Sequence, residues 1–251
     1  MRLPPPPWIA AHRGALPLLE NTLPALALAV AEGADLLEFD VQATADGVLV
    51  LFHDADLGRL GGRPELVVER EPASALLERE LSDPASRERT GRIPTLGALL
   101  AALPDGFPVN IELKRRRCDR ERLAGLALAA TAGRENVLFS SFDLSLLREL
   151  RRQAPAAHLA PLARRWSPGL ARCAAELAAW SLHVGGGVAA AAAAHGAGPP
   201  VLVYTVNAAA RARRLLAAGA AGLFTDRPGP LRAELGASGE SGVLSRTYRG
   251  R

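Results

Sequence analysis

Only six residues, Gln42–Gly47, separate two apolar β-type runs, Leu36–Val41 and Val48–Phe52, and that short link constrains the fold more than any other feature. A parallel crossover needs about a dozen residues or more, so these two runs can meet only as an antiparallel pair. Ala45-Asp46-Gly47 supplies the turn. Further β-type runs occur at Trp8–Ala11, Pro108–Leu113, Asn136–Ser140, His158–Leu162, Ala179–Val184, Val201–Val206 and Gly222–Thr225. Helix-length stretches rich in Ala, Leu and Arg separate most of them: Leu23–Glu32, Arg120–Ala132, Leu144–Gln153, Pro168–Ala178, Val188–His195 and Ala208–Ala218.

Strand and helix alternating along the chain predict a parallel βα architecture. With Val48–Phe52 read as an antiparallel excursion from the second strand, eight runs remain, the number that closes a TIM (β/α)8 barrel. If the turn centres on Ala45 and Asp46, His53 returns opposite Glu38. The segment 55–92 is too long for a βα loop and is expected to form a small insertion over the mouth, with one helix near Ala73–Leu81 and flexible flanks. Thr95 is placed to cap a helix over Leu96–Leu103, and a last short helix is expected at Pro230–Leu235. The chain therefore reads as a single domain over 1–235, followed by a loose basic tail over 236–251.

Composition narrows the function classes. The 251 residues carry 30 Lys+Arg against 26 Asp+Glu, a net charge of +4, with no basic block interleaved with aromatics. A nucleic-acid partner is not expected on that pattern, whereas a modest positive field suits a phosphorylated substrate. No run approaches the roughly 20 apolar residues of a membrane span, so stable membrane insertion is not expected. Four prolines interrupt the N-terminal stretch where a leader would need a continuous apolar run. Cys118 and Cys173 lack metal-site spacing and read as free thiols of a reducing compartment, which makes the cytoplasm the expected location. Oligomeric state has no signature in the sequence.

Active sites of such barrels gather at the C-terminal ends of the strands. Those ends carry His12 and Arg13, then Glu38 and Asp40, then Glu112 and Lys114, and His53 returns on the excursion. Side chains two apart on a strand share a face, about 7 Å apart. Two carboxylates inside an apolar strand are costly to bury unless something positive lies between them. Glu38, Asp40 and Glu112 offer hard oxygen ligands, which suit one divalent cation: Mg²⁺ or Ca²⁺, with Mn²⁺ also compatible. Arg13 and Lys114 are suited to a phosphate, and His12 and His53 to moving protons near neutral pH. Together these describe cleavage of a phosphate diester, with the roles of the two histidines open.

Other residues carry weaker signals. Phe142, Tyr204 and Asn207 are placed to line the pocket for the alcohol. Asn21 or Thr22 is expected to cap the first helix, while Glu20 can reach the rim. Asp54 is expected to orient His53 or cap the insertion, Asn110 to be a buried partner, and Asp226 to fix a loop. His158, His183 and His195 read as surface or packing histidines, and of the three only His183, ending a strand, keeps a site role as an alternative. Gly185-Gly186-Gly187 lacks the completion of a nucleotide-binding loop.

AHRG at Ala11–Gly14, ENT at Glu20–Thr22, EFDVQATADGVLVLFHD at Glu38–Asp54, IPTL at Ile93–Leu96, NIELK at Asn110–Lys114, SSF at Ser140–Phe142, YTVN at Tyr204–Asn207 and LFTDRP at Leu223–Pro228 occur in this order. The set resembles the glycerophosphodiester phosphodiesterase family. The resemblance implies a TIM barrel with an insertion after the HD motif. It also implies a metal at Glu38, Asp40 and Glu112, a catalytic pair at His12 and His53, and phosphate binding by Arg13 and Lys114. Its implied reaction releases an alcohol and sn-glycerol 3-phosphate from deacylated phospholipids, by attack of a glycerol hydroxyl or of water. The alternatives are a lysophospholipase D-like enzyme acting on lysophospholipids and a non-catalytic phosphate-binding barrel. Two departures stand out: Tyr204 replaces a common Trp, and Gly97-Ala98 follow IPTL where the family usually has an acidic residue.

Overall fold

A computed structural model describes residues 1–187 and 198–236. The expected helix at 188–195, with His195, and the tail from 237 onward lie outside the described residues.

The first half of the chain runs β1 (Trp8–His12), α1 (Leu23–Ala31), β2 (Leu36–Ala43), β3 (Leu49–Leu51), β4 (Asp56–Leu57), α2 (Gly58–Gly61), β5 (Arg63–Val67), α3 (Ala73–Leu77), β6 (Glu80–Asp83), β7 (Ser86–Arg92), α4 (Leu96–Ala102) and β8 (Val109–Leu113). It continues with α5 (Arg120–Ala130), β9 (Val137–Ser141), α6 (Leu144–Gln153), β10 (His158–Ala163), α7 (Pro168–Glu176), β11 (Leu182–Gly185), β12 (Val201–Tyr204), α8 (Ala209–Ala217), β13 (Gly222–Thr225) and α9 (Pro228–Gly236). Parallel pairing runs β1-β13-β12-β11-β10-β9-β8-β2, and β2 pairs back onto β1, which closes an eight-stranded TIM barrel. β3 is antiparallel to β2 and lies outside the ring, so the short link acts as its length requires.

The hairpin register differs from expectation by one residue. Val41 faces Leu51 and Ala43 faces Leu49, and Thr44 N donates to Val48 O, so the turn is the three-residue loop Ala45–Gly47. Gly47, at φ 86°, takes the left-handed position that such a loop needs. Ladder pairing ends at Leu51, and His53 does not stand opposite Glu38.

Alternation decides which strand faces meet. Leu37, Phe39 and Val41 point outward against Leu26, Leu96 and Leu99 of the surrounding helices. Trp8, Ala10, Leu36, Leu202 and Phe224 point inward and fill the barrel. Each fully buried leucine or phenylalanine contributes about 1.5–3 kcal/mol. Helix starts follow their capping residues: Thr22, Thr95, Asp119, Asp143 and Ser167 each accept a hydrogen bond from a backbone N–H in the first turn.

The insertion departs from the one-helix expectation. Helix α3 ends at Leu77, and Glu80–Asp83 pairs with Ser86–Arg92 as a hairpin. A second small hairpin joins β4 and β5, so the flanks are structured. The charged composition that suggested a helix belongs to two-stranded pieces whose outer residues face solvent. Leu57, Leu60, Val68, Leu76 and Leu81 anchor the segment to Val50, Phe52, Leu19 and Ile93.

Candidate active site

The strand ends open into one cavity of about 600 Å³, lined among others by His12, Arg13, Glu38, His53, Glu112 and Lys114. Glu38, Asp40 and Glu112 each offer an oxygen within 4.8 Å of the others. All three are buried, and Glu38 Oε1 has no hydrogen-bond partner. Burial, together with the neighbouring Asp40 and Glu112, pushes the Glu38 carboxyl up to about 8. Carboxylates this close repel strongly away from water, so their charges need cations beside them. Hard oxygen donors converging with an unsatisfied lone pair fit a divalent cation.

Two cations lean on the same acids. Arg13 Nε lies 2.9 Å from Asp40 Oδ2, and Lys114 Nζ lies 3.0 Å from Asp40 Oδ1 while also bonding Glu112 Oε1. Burial opposes the Asp40 charge, but Arg13 and Lys114 hold its carboxyl well below the usual carboxylate range. Asn21 completes this cradle. Its Nδ2 donates to Asp40 Oδ2 at 2.9 Å, and its Oδ1 accepts from Asp40 N at 3.1 Å. Thr22 is the helix cap, so the two expectations for Asn21 and Thr22 separate: one residue starts the helix and the other holds the acid.

The backbone at Arg13 is left-handed, φ 60°, which is strained for a side chain of this size. Two hydrogen bonds from Arg13 N, to Glu38 O (2.8 Å) and Glu38 Oε2 (3.2 Å), hold it there. Gly14 follows at φ 106°, and a Cβ there would sit 2.6 Å from that of Ala25. The HRG sequence thus turns the chain sharply enough to aim both His12 and Arg13 into the cavity.

Each catalytic candidate histidine has its Nδ1 fixed by a carboxylate. His12 Nδ1 lies 2.7 Å from Asp226 Oδ1, and His53 Nδ1 lies 2.7 Å from Asp54 Oδ1. Nε2 is therefore the nitrogen left for chemistry in both rings. Their environments differ. Burial disfavours a charge on His12, but the bond to Asp226 and the field of Glu38 outweigh it and raise its pKa above the ordinary imidazole value. Burial lowers that of His53, and Arg13 and Lys114 add to this against the pull of Asp40 and Asp54.

A charged chain links the insertion to both groups. Arg59 of α2 bonds Asp54 Oδ2 at 2.6 Å and both oxygens of Glu20, and Glu20 Oε1 in turn pairs with Arg13 at 3.2 Å. Glu20 reaches the rim as expected, and Asp54 orients His53. Sequence reading missed Arg59, because no local pattern marks a residue that matters only once two distant loops meet.

The opposite wall is built by β9 to β13. Phe142 stands 45% exposed, edge-on to Tyr204 with ring centroids 6.2 Å apart, and both line the cavity. Asn207 does not line it. Its Nδ2 donates to Asp226 Oδ2 at 2.6 Å and its Oδ1 accepts from Thr225 Oγ1 and Asp226 N, so Asn207 holds the carboxylate that holds His12. Asp226 does more than fix a loop, a role the sequence reading missed although its place at a strand end could have marked it. His183, read as a packing residue, also reaches the cavity: Nε2 meets Ser181 Oγ at 3.0 Å, and the buried Nδ1 is unpartnered. Burial lowers its pKa to about 3, so this ring is neutral. Asn110 lines the floor with an unpartnered Oδ1.

Among relatives, the chain is 30% identical over 236 residues to a glycerophosphodiester phosphodiesterase of Caldanaerobacter subterraneus, covering 88% of this chain and 94% of the other. Over a shorter stretch of 55 residues it is 53% identical to a mouse lysophospholipase D, which is 22% of this chain and 17% of that one. The solved structure of a glycerophosphodiester phosphodiesterase from Thermotoga maritima superposes with a TM-score of 0.71 at 27% identity, covering 88% of this chain and 95% of the other. The family model for the glycerophosphoryl diester phosphodiesterases matches residues 11–230, from the AHRG turn to the start of α9, and the chain belongs to that family.

Proposed function

We propose that the protein hydrolyses glycerophosphodiesters to sn-glycerol 3-phosphate and an alcohol, using Glu38, Asp40 and Glu112 as metal ligands and His12 and His53 as proton carriers. The observation that carries this reading is the shared cavity: two histidines, each pinned at Nδ1 by a carboxylate, face the three clustered acids. A divalent cation held there, Mg²⁺, Ca²⁺ or Mn²⁺, supplies positive charge to a phosphate oxygen. Arg13 and Lys114 add donors to the phosphate, the arginine as a fork and the lysine as a point charge.

The divergence of the histidines supports an assignment of roles. His53, kept neutral, takes the proton of the attacking hydroxyl at Nε2. His12, whose pKa Asp226 and Glu38 raise, gives its Nε2 proton to the leaving alkoxide as the phosphorus–oxygen bond breaks. Asp54 and Asp226 stabilise the ring charge that appears or disappears. Phe142 and Tyr204 serve as walls for the departing alcohol. Residues 1–235 act as one unit, with 55–92 supporting the rim through Arg59. The two free thiols, Cys118 and Cys173, support a reducing, cytoplasmic setting, and no helix among the described residues is long and apolar enough to cross a membrane.

A second reading, action on lysophospholipids, is favoured by Leu16, Leu18 and Phe142, exposed hydrophobics that all lie in loops following strands at the mouth. The test is a panel of glycerophosphodiesters and lysophospholipids, followed by release of glycerol 3-phosphate or choline, after chelation and after return of each metal. Turnover of the deacylated diesters that is lost on chelation and restored by one cation is expected. Full activity after chelation would remove the metal from the mechanism, and cleavage of lysolipids alone would replace the first reading with the second.

A further inference from the structure

We propose, resting on the phosphodiesterase reading above, that the alcohol arm of the preferred substrate carries its own negative charge, recognised at the cavity rim by Arg116 and Arg164. A diester has two arms, and the cavity treats them differently. Among its lining residues the buried Asn110 Oδ1 and His183 Nδ1 are unpartnered, which suits a small polar arm such as glycerol. The other arm must leave through the mouth, past Arg116 and Arg164.

The charge balance of the lining makes this arm specific. Five cationic side chains, Arg13, Lys114, Arg115, Arg116 and Arg164, line the cavity with three carboxylates, Glu38, Glu112 and Asp143. Arg13 and Lys114 are occupied by the acidic cluster, including Asp40 directly behind it. Arg115 is neutralised by Asp143, with Nε 2.6 Å from its Oδ2. Arg116 and Arg164 have no carboxylate within ion-pair distance among the described residues. Glu69 of the insertion meets the Arg116 loop through its backbone, its oxygens accepting the N–H groups of Arg116, Arg117 and Cys118. Both free guanidiniums are exposed at the opening, where a forked donor meets a phosphate or carboxylate well and repels a quaternary amine. A single-charge diester and a divalent cation together still leave this wall positive. An arm bearing a phosphate or carboxylate balances it.

The test uses three glycerophosphodiesters that differ in the outer arm: choline, glycerol, and glycerol bearing a terminal phosphate. Turnover and calorimetric affinity are measured for each at low and high salt. The phosphate-bearing arm is expected to bind best and choline worst, with a spread of about thirtyfold at low ionic strength that shrinks as salt screens the rim. In the Arg116→Gln/Arg164→Gln protein the ratio between phosphate-bearing and choline arms should fall towards unity, while Arg116→Lys/Arg164→Lys keeps most of it. Equal or better binding of the choline arm by the wild type overturns the proposal, as does a ratio that survives the double glutamine change. Affinity reads the arm preference even if no diester is cleaved, a result that would sink the phosphodiesterase reading instead.

Discussion

The two halves of the barrel mouth are built on opposite plans. On the side of β1, β2 and β8, the groups proposed to react are held by protein side chains: Asp40 by Asn21, Arg13 and Lys114, His12 by Asp226, and His53 by Asp54. On the side of β10 to β12, the buried Nδ1 atom of His183 has no partner, and the exposed Arg164 side chain has no carboxylate within ion-pair distance among the described residues. The held half can keep reacting groups in place without help from substrate. The open half leaves its polar groups for the substrate to satisfy. Rate should therefore depend mainly on the first half, and affinity and choice mainly on the second.

The most severe way to break this contrast is His53→Ala, which should lower kcat by roughly 10³-fold with little change in KM, since a positioned general base contributes about 10²–10⁴. A loss confined to KM would move His53 out of the chemistry. Asp226→Asn is next. It removes the contact that raises the His12 pKa and fixes its ring, so kcat should drop about thirtyfold. The pH profile gives its sign. With the proposed roles, activity needs His53 neutral, so it falls as pH drops through the lowered His53 pKa. It also needs His12 protonated, so it falls as pH rises through the raised His12 pKa. Losing Asp226 lowers the His12 pKa, so the alkaline limb should move to lower pH while the acid limb stays. Movement of the acid limb alone would reverse the two roles.

Gly14→Ala tests the turn that aims the held half. A left-handed backbone and a clash at 2.6 Å should together cost about 3 kcal/mol, read as a lowered denaturation midpoint. Arg59→Gln removes the tie among Asp54, Glu20 and, through Glu20, Arg13, and should reduce kcat/KM by roughly fivefold, with Arg59→Lys recovering part of it. The smallest change is expected from Tyr204→Phe in the open half. Its hydroxyl donates to Ala163 O at 2.7 Å rather than to the cavity, so KM should shift by only about twofold. A large fall in kcat there would erase the distinction between the halves.

How much of this was readable from the chain differs from one residue to the next. His12, Arg13, Glu38, Asp40, Glu112 and Lys114 were legible because each ends an apolar strand, where period-two alternation and strand polarity give direction and level. Asn207 was placed at the wrong remove: it supports the site from behind Asp226, and its position in YTVN does not say which neighbour its amide will meet. In the insertion the helix at Ala73 was legible but the hairpins around it were not, because short, exposed hairpins carry little periodic signal, and their stability comes from Leu57, Leu76 and Leu81 packing on a distant surface.

The sequence by itself determined the closed barrel, since a six-residue link forbids a crossover and the other spacings require one. It also determined which acids share a face. Tertiary structure alone decided that Asp226 meets His12 across 214 positions, that Arg59 joins Glu20 to Asp54, and that two arginines at the rim have no acid within ion-pair distance among the described residues. Local backbone geometry fixes where a side chain points, but charge pairing depends on which loops arrive beside it, and that is known only once the ring has closed.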